Sequence, residues 1–312
     1  MPRYLPRLLV RLVLTVFVVA SAVFFGVRMV PGGPATALLG ADASPVDIAA
    51  VNEKLGLEEP LIVQYGRFLG QLATGSLGNS LVSDRPVTAS IMAVLPHTLE
   101  LAIAGMAIGM VGGVLLGVFT AAYRNRAPDY IGRVLSLTLL SFPSYYIGVL
   151  LIFLVALRVG LPTSGAAPLS DPLQNLSQLI LPALALGIVG TAYVARVTRG
   201  LMLEVLDEDH VRTARAKGIS EFRVLIRHAL QPASLPIASL GGLFFIVLIG
   251  DAVLIETVFA RPGLGTLMVD AMLARDYTMV QGAVIVVAAV IVVVNSLLEI
   301  VYRLIDPRIR VK

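Results

Sequence analysis

RVTRGLMLEVLDEDHVRTARAKGISEFRVLIRHALQPASLP, residues 196–236, is the longest polar interval in the C-terminal two thirds of the chain, and a long apolar segment borders it on each side. A polar interval so placed is where a membrane protein meets water. Residues 204–217 have the spacing of a helix: Glu208 precedes Arg212 by four residues, and Arg212, Arg215 and Lys217 gather at the end where the helix dipole favours cations. Gly218 stands where a glycine just past the helix would stop it. Ser220 suits the N-cap of a second helix, in which Phe222, Leu225, Ile226 and Ala229 form one apolar stripe with Arg223 and Arg227 beside it. Pro232 closes the unit. Such a pair of hinged helices also fits a loop lying on lipid headgroups.

Composition agrees with a membrane setting. Of 312 residues 57% are hydrophobic and only 14% charged, and the mean hydropathy of +0.88 lies outside the globular range. A net charge of +4 could suggest nucleic acid, yet the basic residues sit in loops between apolar runs, as the positive-inside rule places them. With no cysteine and three histidines, neither a disulfide framework nor a Cys/His metal site can be built.

Working outward, the apolar run 12–27, extended by 8–10, follows Arg3, Arg7 and Arg11 and is long enough to span. Ala20-Ser21-Ala22 would fit a signal-peptide cleavage site, but Val23-Phe24-Phe25 continues the run past it. Residues 31–95 are mixed and polar, with helices expected at 46–55 and 60–72, the second presenting Ile62, Tyr65, Phe68 and Leu69 on one side. A second span opens at Pro96 and Thr98 and runs to 122, with Gly105, Gly109, Gly113 and Gly117 permitting close helix contact. A third, 134–157, carries Ser141-Phe142-Pro143-Ser144-Tyr145-Tyr146, which reads as a kink patched by hydroxyls, as a pathway lining, or as both. An outer loop at 160–177 leads to a fourth span, 179–194. The fifth, 235–258, holds Asp251, either a helix partner or a pathway residue, and Glu256, near enough to the interface to be solvated and so structural. The sixth is 284–301. Six spans put both ends inside, Arg3, Arg7 and Arg11 agreeing with Arg303, Arg308, Arg310 and Lys312.

Arg212-Thr213-Ala214-Arg215-Ala216-Lys217-Gly218, followed by Ile226-Arg227-His228-Ala229-Leu230 and Pro232, resembles the EAA loop of ABC importer permeases in the dipeptide/oligopeptide/nickel branch, with Arg212 and Thr213 replacing the first two residues of Glu-Ala-Ala. Met29-Val30-Pro31-Gly32-Gly33-Pro34, Leu55-Gly56-Leu57, Gln64-Tyr65, Gly75-Ser76-Leu77-Gly78-Asn79-Ser80, Arg85-Pro86-Val87, Ile255-Glu256-Thr257-Val258-Phe259, Pro262-Gly263-Leu264-Gly265, Ala274-Arg275-Asp276-Tyr277 and Gln281-Gly282 are similar to the B-type subunit of that family. The resemblance covers essentially the whole chain. It implies an all-α integral membrane protein of six helices with both termini cytoplasmic: tail and first span over 1–30, an external subdomain over 31–95, and a five-helix permease core over 96–312 containing a cytoplasmic coupling loop at 196–234.

The same resemblance implies that Arg212 to Gly218 dock on an ATPase and that Pro143, Ser144, Tyr145 and Asp251 are pathway candidates. Its partners are a second homologous permease, two ATPase subunits carrying ATP and Mg, and an extracytoplasmic solute-binding protein, in a bacterial or archaeal plasma (inner) membrane. No cofactor is expected in this chain. Peptides are the expected cargo, with nickel or metal chelates, glutathione and opines as alternatives. The residues themselves exclude much chemistry: no G-x-x-x-x-G-K-[ST], H-E-x-x-H or G-x-S-x-G occurs. An ion-coupled secondary transporter would need buried carboxylates and broken helices, for which only Asp251 and Pro143 stand.

Overall fold

The computed structural model describes residues 4–29, 35, 39, 43–54, 56–168 and 170–305. In chain order its helices are α1 (Tyr4–Arg28), α2 (Pro45–Lys54), α3 (Leu61–Ala73), α4 (Val87–Ala122), α5 (Ala127–Leu140), α6 (Ser144–Leu151), α7 (Pro172–Leu206), α8 (Asp209–Ala216), α9 (Glu221–Arg223), α10 (Gln231–Val258), α11 (Leu264–Leu273) and α12 (Tyr277–Ile305). Wider π turns at Ile152–Ala156 and Val224–Leu230 extend α6 and join α9 to α10. Among the described residues there is no strand, and Asn79 and Pro86 form an isolated bridge. Among the described residues five helices are long and apolar enough to cross a membrane, or six if α5 and α6 together make one span. Residues 30–34, most of the first family-like motif, and Arg3, Arg308, Arg310 and Lys312 lie outside the described residues.

The chain divides into two compact units, residues 1–96 with 263–293, and residues 97–262 with 294–312. In the first, Phe24 of α1 packs on Tyr65 and Phe68 of α3, with ring centroids 5.1 and 5.2 Å apart. Ser21 and Tyr65 share a hydroxyl hydrogen bond of 2.6 Å. The expected α3 face is right at Tyr65 and Phe68, but Ile62 points outward, 74% exposed. Two family-like motifs meet here: Asp276 accepts hydrogen bonds from the Ser80 hydroxyl and the Leu81 amide, and caps α12 through the Met279 amide.

The second span does not open at Pro96; α4 starts at Val87 and runs through that proline. A proline inside a helix costs about 3 kcal/mol. Val87 and Ile91 are fully buried beside Leu264, Met279 and Ala283, and burying two such side chains returns roughly 3–6 kcal/mol. Burial therefore outweighs the break.

In the second unit α7 is the central helix. Asp171 caps it through the Gln174 amide at 3.1 Å and Pro172 starts it, so it runs beyond the expected 179–194 at both ends. The glycine stripe of α4 lies on it: a Cβ at Gly105 would stand 2.9 Å from Cβ of Leu186, and at Gly117 2.6 Å from Cβ of Thr198. The expected close contact is present, and Gly109 and Gly190 together make room for the Phe244 ring of α10.

The expected single third span is instead two helices, α5 and α6, bent by 100° at residues 141–143. Proline disfavours a helical residue before it, and Pro143 itself is extended at ψ 146°. Ser141 patches the break as expected, its hydroxyl donating to the Leu137 carbonyl at 2.9 Å.

Gly117→Ala should overpack the α4–α7 contact and cost about 1–3 kcal/mol in a detergent thermal melt. Gly200→Ala, with open space around its Cβ, should be neutral or stabilising by up to about 1 kcal/mol. Equal melting of the two variants would remove the close-contact account.

Candidate functional site

The polar interval folds into an elbow. The expected helix over 204–217 is split: α7 ends at Leu206, Asp207 turns the chain, and α8 restarts at Asp209. Glu208 accordingly lies outside α8 and pairs with His210 at 3.0 Å, while Arg212 pairs with Asp209 at 3.6 Å instead of Glu208. Gly218 ends α8 with φ +76°, a left-handed conformation that only glycine adopts without strain. The Gly218 amide donates to the Arg215 carbonyl and the Ile219 amide to the Ala214 carbonyl, the two bonds of a Schellman cap.

Beyond the turn, Ser220 occupies the N-cap position but its side chain makes no capping hydrogen bond. Pro232 does not close the unit, because the chain passes through it as a continuous helix from Glu221 to Val258. The expected apolar stripe is also displaced: Val224 and Ala229 are buried, whereas Phe222 is 77% and Ile226 42% exposed. A π turn brings residues five apart into line where an α-helix aligns those three and four apart, so Val224 and Ala229 share the inner face.

Three contacts stiffen the elbow. Arg215 donates to both Glu221 oxygens at 2.7 and 3.2 Å, and that carboxylate holds the Arg215 guanidinium above its ordinary value. The His210 ring lies 3.0 Å from the His228 carbonyl. Val211 and Ala214 are buried in a cluster with Met202, Leu206, Val224 and Ala229. Arg212, Thr213, Arg215, Ala216, Lys217 and Gly218 remain exposed, with Arg223 and Arg227 beside them.

The base of the elbow is held by ion pairs that the sequence reading does not pair. The Asp129 side chain is fully buried, and Arg199 donates to its two oxygens at 2.6 and 2.8 Å, 70 positions away. Its Oδ2 also accepts the Asn125 amide at 2.9 Å, and Arg124 binds Asp207 at 2.9 Å. A proline-preceded Asp on an otherwise apolar helix start was the available signal.

The pathway candidates separate. Ser144, buried at the start of α6, lies near Asp251, and Asp251 lines a cavity of about 320 Å³ whose walls include Leu140, Leu186, Tyr193, Phe244 and Leu248. Pro143 shapes the break without lining that cavity, and Tyr145 is 42% exposed on α6. Glu256 is fully buried, not solvated, and accepts the Thr98 hydroxyl at 2.6 Å. Nearby in sequence, buried Arg261 donates to Glu100 at 2.7 Å. Among the described residues no cluster of three or more His, Cys, Asp or Glu could hold a metal.

Residues 113–311 match the family described as binding-protein-dependent transport system inner membrane component, and residues 1–102 match its N-terminal companion. The glutathione transport system permease protein of Salmonella paratyphi A is 38% identical over 313 residues, covering 100% of both chains. A Brucella abortus protein with the provisional name peptide transport system permease protein is 40% identical over 295 residues, 94% of each chain. An inward-facing methionine ABC transporter structure superposes with TM-score 0.57 at 16% identity, over 69% of this chain and 95% of that one, which supports the fold.

Asp129→Ala leaves the Arg199 charge uncompensated and should lower stability by about 3–5 kcal/mol in a detergent melt. Adding Arg199→Leu should recover most of the loss. No recovery would mean that Asp129 acts through its Asn125 and Arg133 contacts.

Proposed function

The chain belongs to the family of binding-protein-dependent transport system inner membrane components, and from that premise we propose that its α8 elbow is the part through which an ATPase drives it. It is the permease subunit of an ABC importer in the inner membrane. Membership implies ATPase subunits, which use ATP and Mg, and a solute-binding protein as partners. In our reading the polypeptide crosses six times with both ends cytoplasmic, residues 31–95 lie outside, residues 196–234 face the ATPase, and a second homologous permease completes the pathway.

The observation that carries the reading is the elbow itself. A stiff, short helix capped at Gly218 presents Arg212, Arg215 and Lys217 to solvent beside Phe222, an aromatic side chain left 77% exposed. An exposed aromatic beside cations is the composition of an interface anchor. ATP-driven closure of the ATPase pair would move the elbow as a lever and tilt the spans, and hydrolysis would reset it. In this reading the cavity lined by Asp251 is the segment of the pathway within this chain.

For cargo we favour a peptide. The relatives named for glutathione and for peptides both point to a short peptide backbone, and glutathione is the narrower alternative. Mass spectrometry of the ligand carried by the cognate binding protein decides between them.

Gly218→Val, forced to φ +76°, should abolish uptake while the protein remains inserted; normal uptake would remove the elbow from the mechanism. Phe222→Ala should weaken ATPase docking by about 2 kcal/mol, read by co-purification. Arg215→Glu should also release the ATPase, by setting two carboxylates together. The exchange Arg215→Glu with Glu221→Arg restores the brace, so recovered docking would assign Arg215 to bracing and continued loss would assign it to direct contact.

A further inference from the structure

A second cavity, of about 210 Å³, lies in the unit formed by residues 97–262 and 294–312 and is lined by Thr120 of α4, Arg133 and Ser136 of α5, and Arg196 and Arg199 of α7. Its charges do not balance. No carboxylate is among the lining residues given by these helices, and the one that Arg199 reaches behind them, Asp129, is fully buried with both oxygens engaged by it. Arg196 makes no hydrogen bond or ion pair among the described residues. Arg133 reaches Asp129 only at 3.6 Å, lies 4.5 Å over the Tyr130 ring, and has a buried Nε with no hydrogen-bond partner. Three guanidiniums against one carboxylate leave a surplus of two positive charges around a space about seven times the liquid volume of a water molecule.

We propose that this cavity binds the phosphate of one anionic phospholipid headgroup, its acyl chains lying along α5. The planar guanidiniums suit phosphate oxygens, and Ser136 lines the same wall, whereas the Thr120 hydroxyl is donated to the Leu116 and Gly117 carbonyls. A free phosphate would satisfy the same groups, but the surroundings favour a lipid. Leu137, part of the lining, is 52% exposed, and Tyr130, Ile131 and Val134 continue an exposed apolar strip along α5 at 53, 66 and 64%. A basic pocket between spans at the water boundary, flanked by such a strip, matches a charged headgroup with attached chains. The inference rests on the reading above only in taking the α8 end of the helices as that boundary.

The full chain, purified in neutral detergent with whatever subunits accompany it, would be titrated with phosphatidylglycerol and with phosphatidylcholine and read by native mass spectrometry. One phosphatidylglycerol should bind per chain in preference to phosphatidylcholine. Arg133→Ala with Arg196→Ala should weaken it about thirty-fold, at roughly a five-fold loss per arginine, while the lipid-free melting temperature stays put. If the pair fails to fold, Arg196→Ala alone should show the five-fold loss. Equal binding of the two lipids, an unchanged affinity in the variants, or displacement by millimolar inorganic phosphate would each overturn the lipid assignment. Because no nucleotide or ATPase enters this measurement, failure of the coupling proposal would leave its outcome unaffected.

Discussion

The contact on which the permease core depends is the near-backbone approach of α4 to α7 across the glycines at positions 105, 109, 113 and 117. In a bilayer the hydrophobic effect gives helices no reason to associate, since lipid tails are as apolar as leucine. Attraction has to come from dispersion at short range, which falls away within an ångström of separation. Glycine removes the one atom that would hold the helices apart. The same approach fixes the axial register of α7 against α4, and with it the height at which Arg199 meets Asp129 and Arg124 meets Asp207. A slip of one turn, about 5.4 Å, would part the buried carboxylate from Arg199.

That register explains why the elbow stands where it does. α7 continues past the buried pair to Leu206, turns at Asp207, and delivers α8 onto a platform that includes Met202, Leu206, Val224 and Ala229. The polar pairs at the base contribute position more than stability: a buried ion pair gains little over apolar packing of the same shape, but breaking it is costly. That asymmetry fixes the base from which α8 projects.

How much of this was legible in the sequence follows from the range of the interactions involved. The four-residue glycine spacing and the turn at Gly218 are local, and both readings survive, as do the apolar runs apart from 134–157, which breaks at Pro143. The features missed are non-local or depend on an uncommon helix period. Asp129 and Arg199 lie 70 positions apart, and Thr98 and Glu256 lie 158 apart, so no window contains both members. Glu256 reads as solvated only because Thr98 cannot be seen beside it. The stripe at Phe222, Leu225, Ile226 and Ala229 assumes 3.6 residues per turn, and the π turn at Val224–Leu230 changes which residues face inward. Pro96 and Pro232 read as boundaries because the sequence shows the lost amide and hides the burial that compensates for it.

The continuity through Pro232 bears most directly on mechanism. Had that proline ended the helix, the elbow would be joined to α10 by a flexible link, and in the coupling proposed above a push on α8 would be absorbed there. Instead Glu221 to Val258 is one rod of 38 residues, and Asp251 stands 30 residues along it, about 45 Å from its start at 1.5 Å per residue. Pro232 has no N–H to offer, and the His228 carbonyl four residues earlier faces the His210 ring of α8, which ties the lever to the rod where its own ladder is weakest. In the coupling proposed above, displacement of the elbow would reach the helix that carries Asp251 along continuous helix and not through a loop.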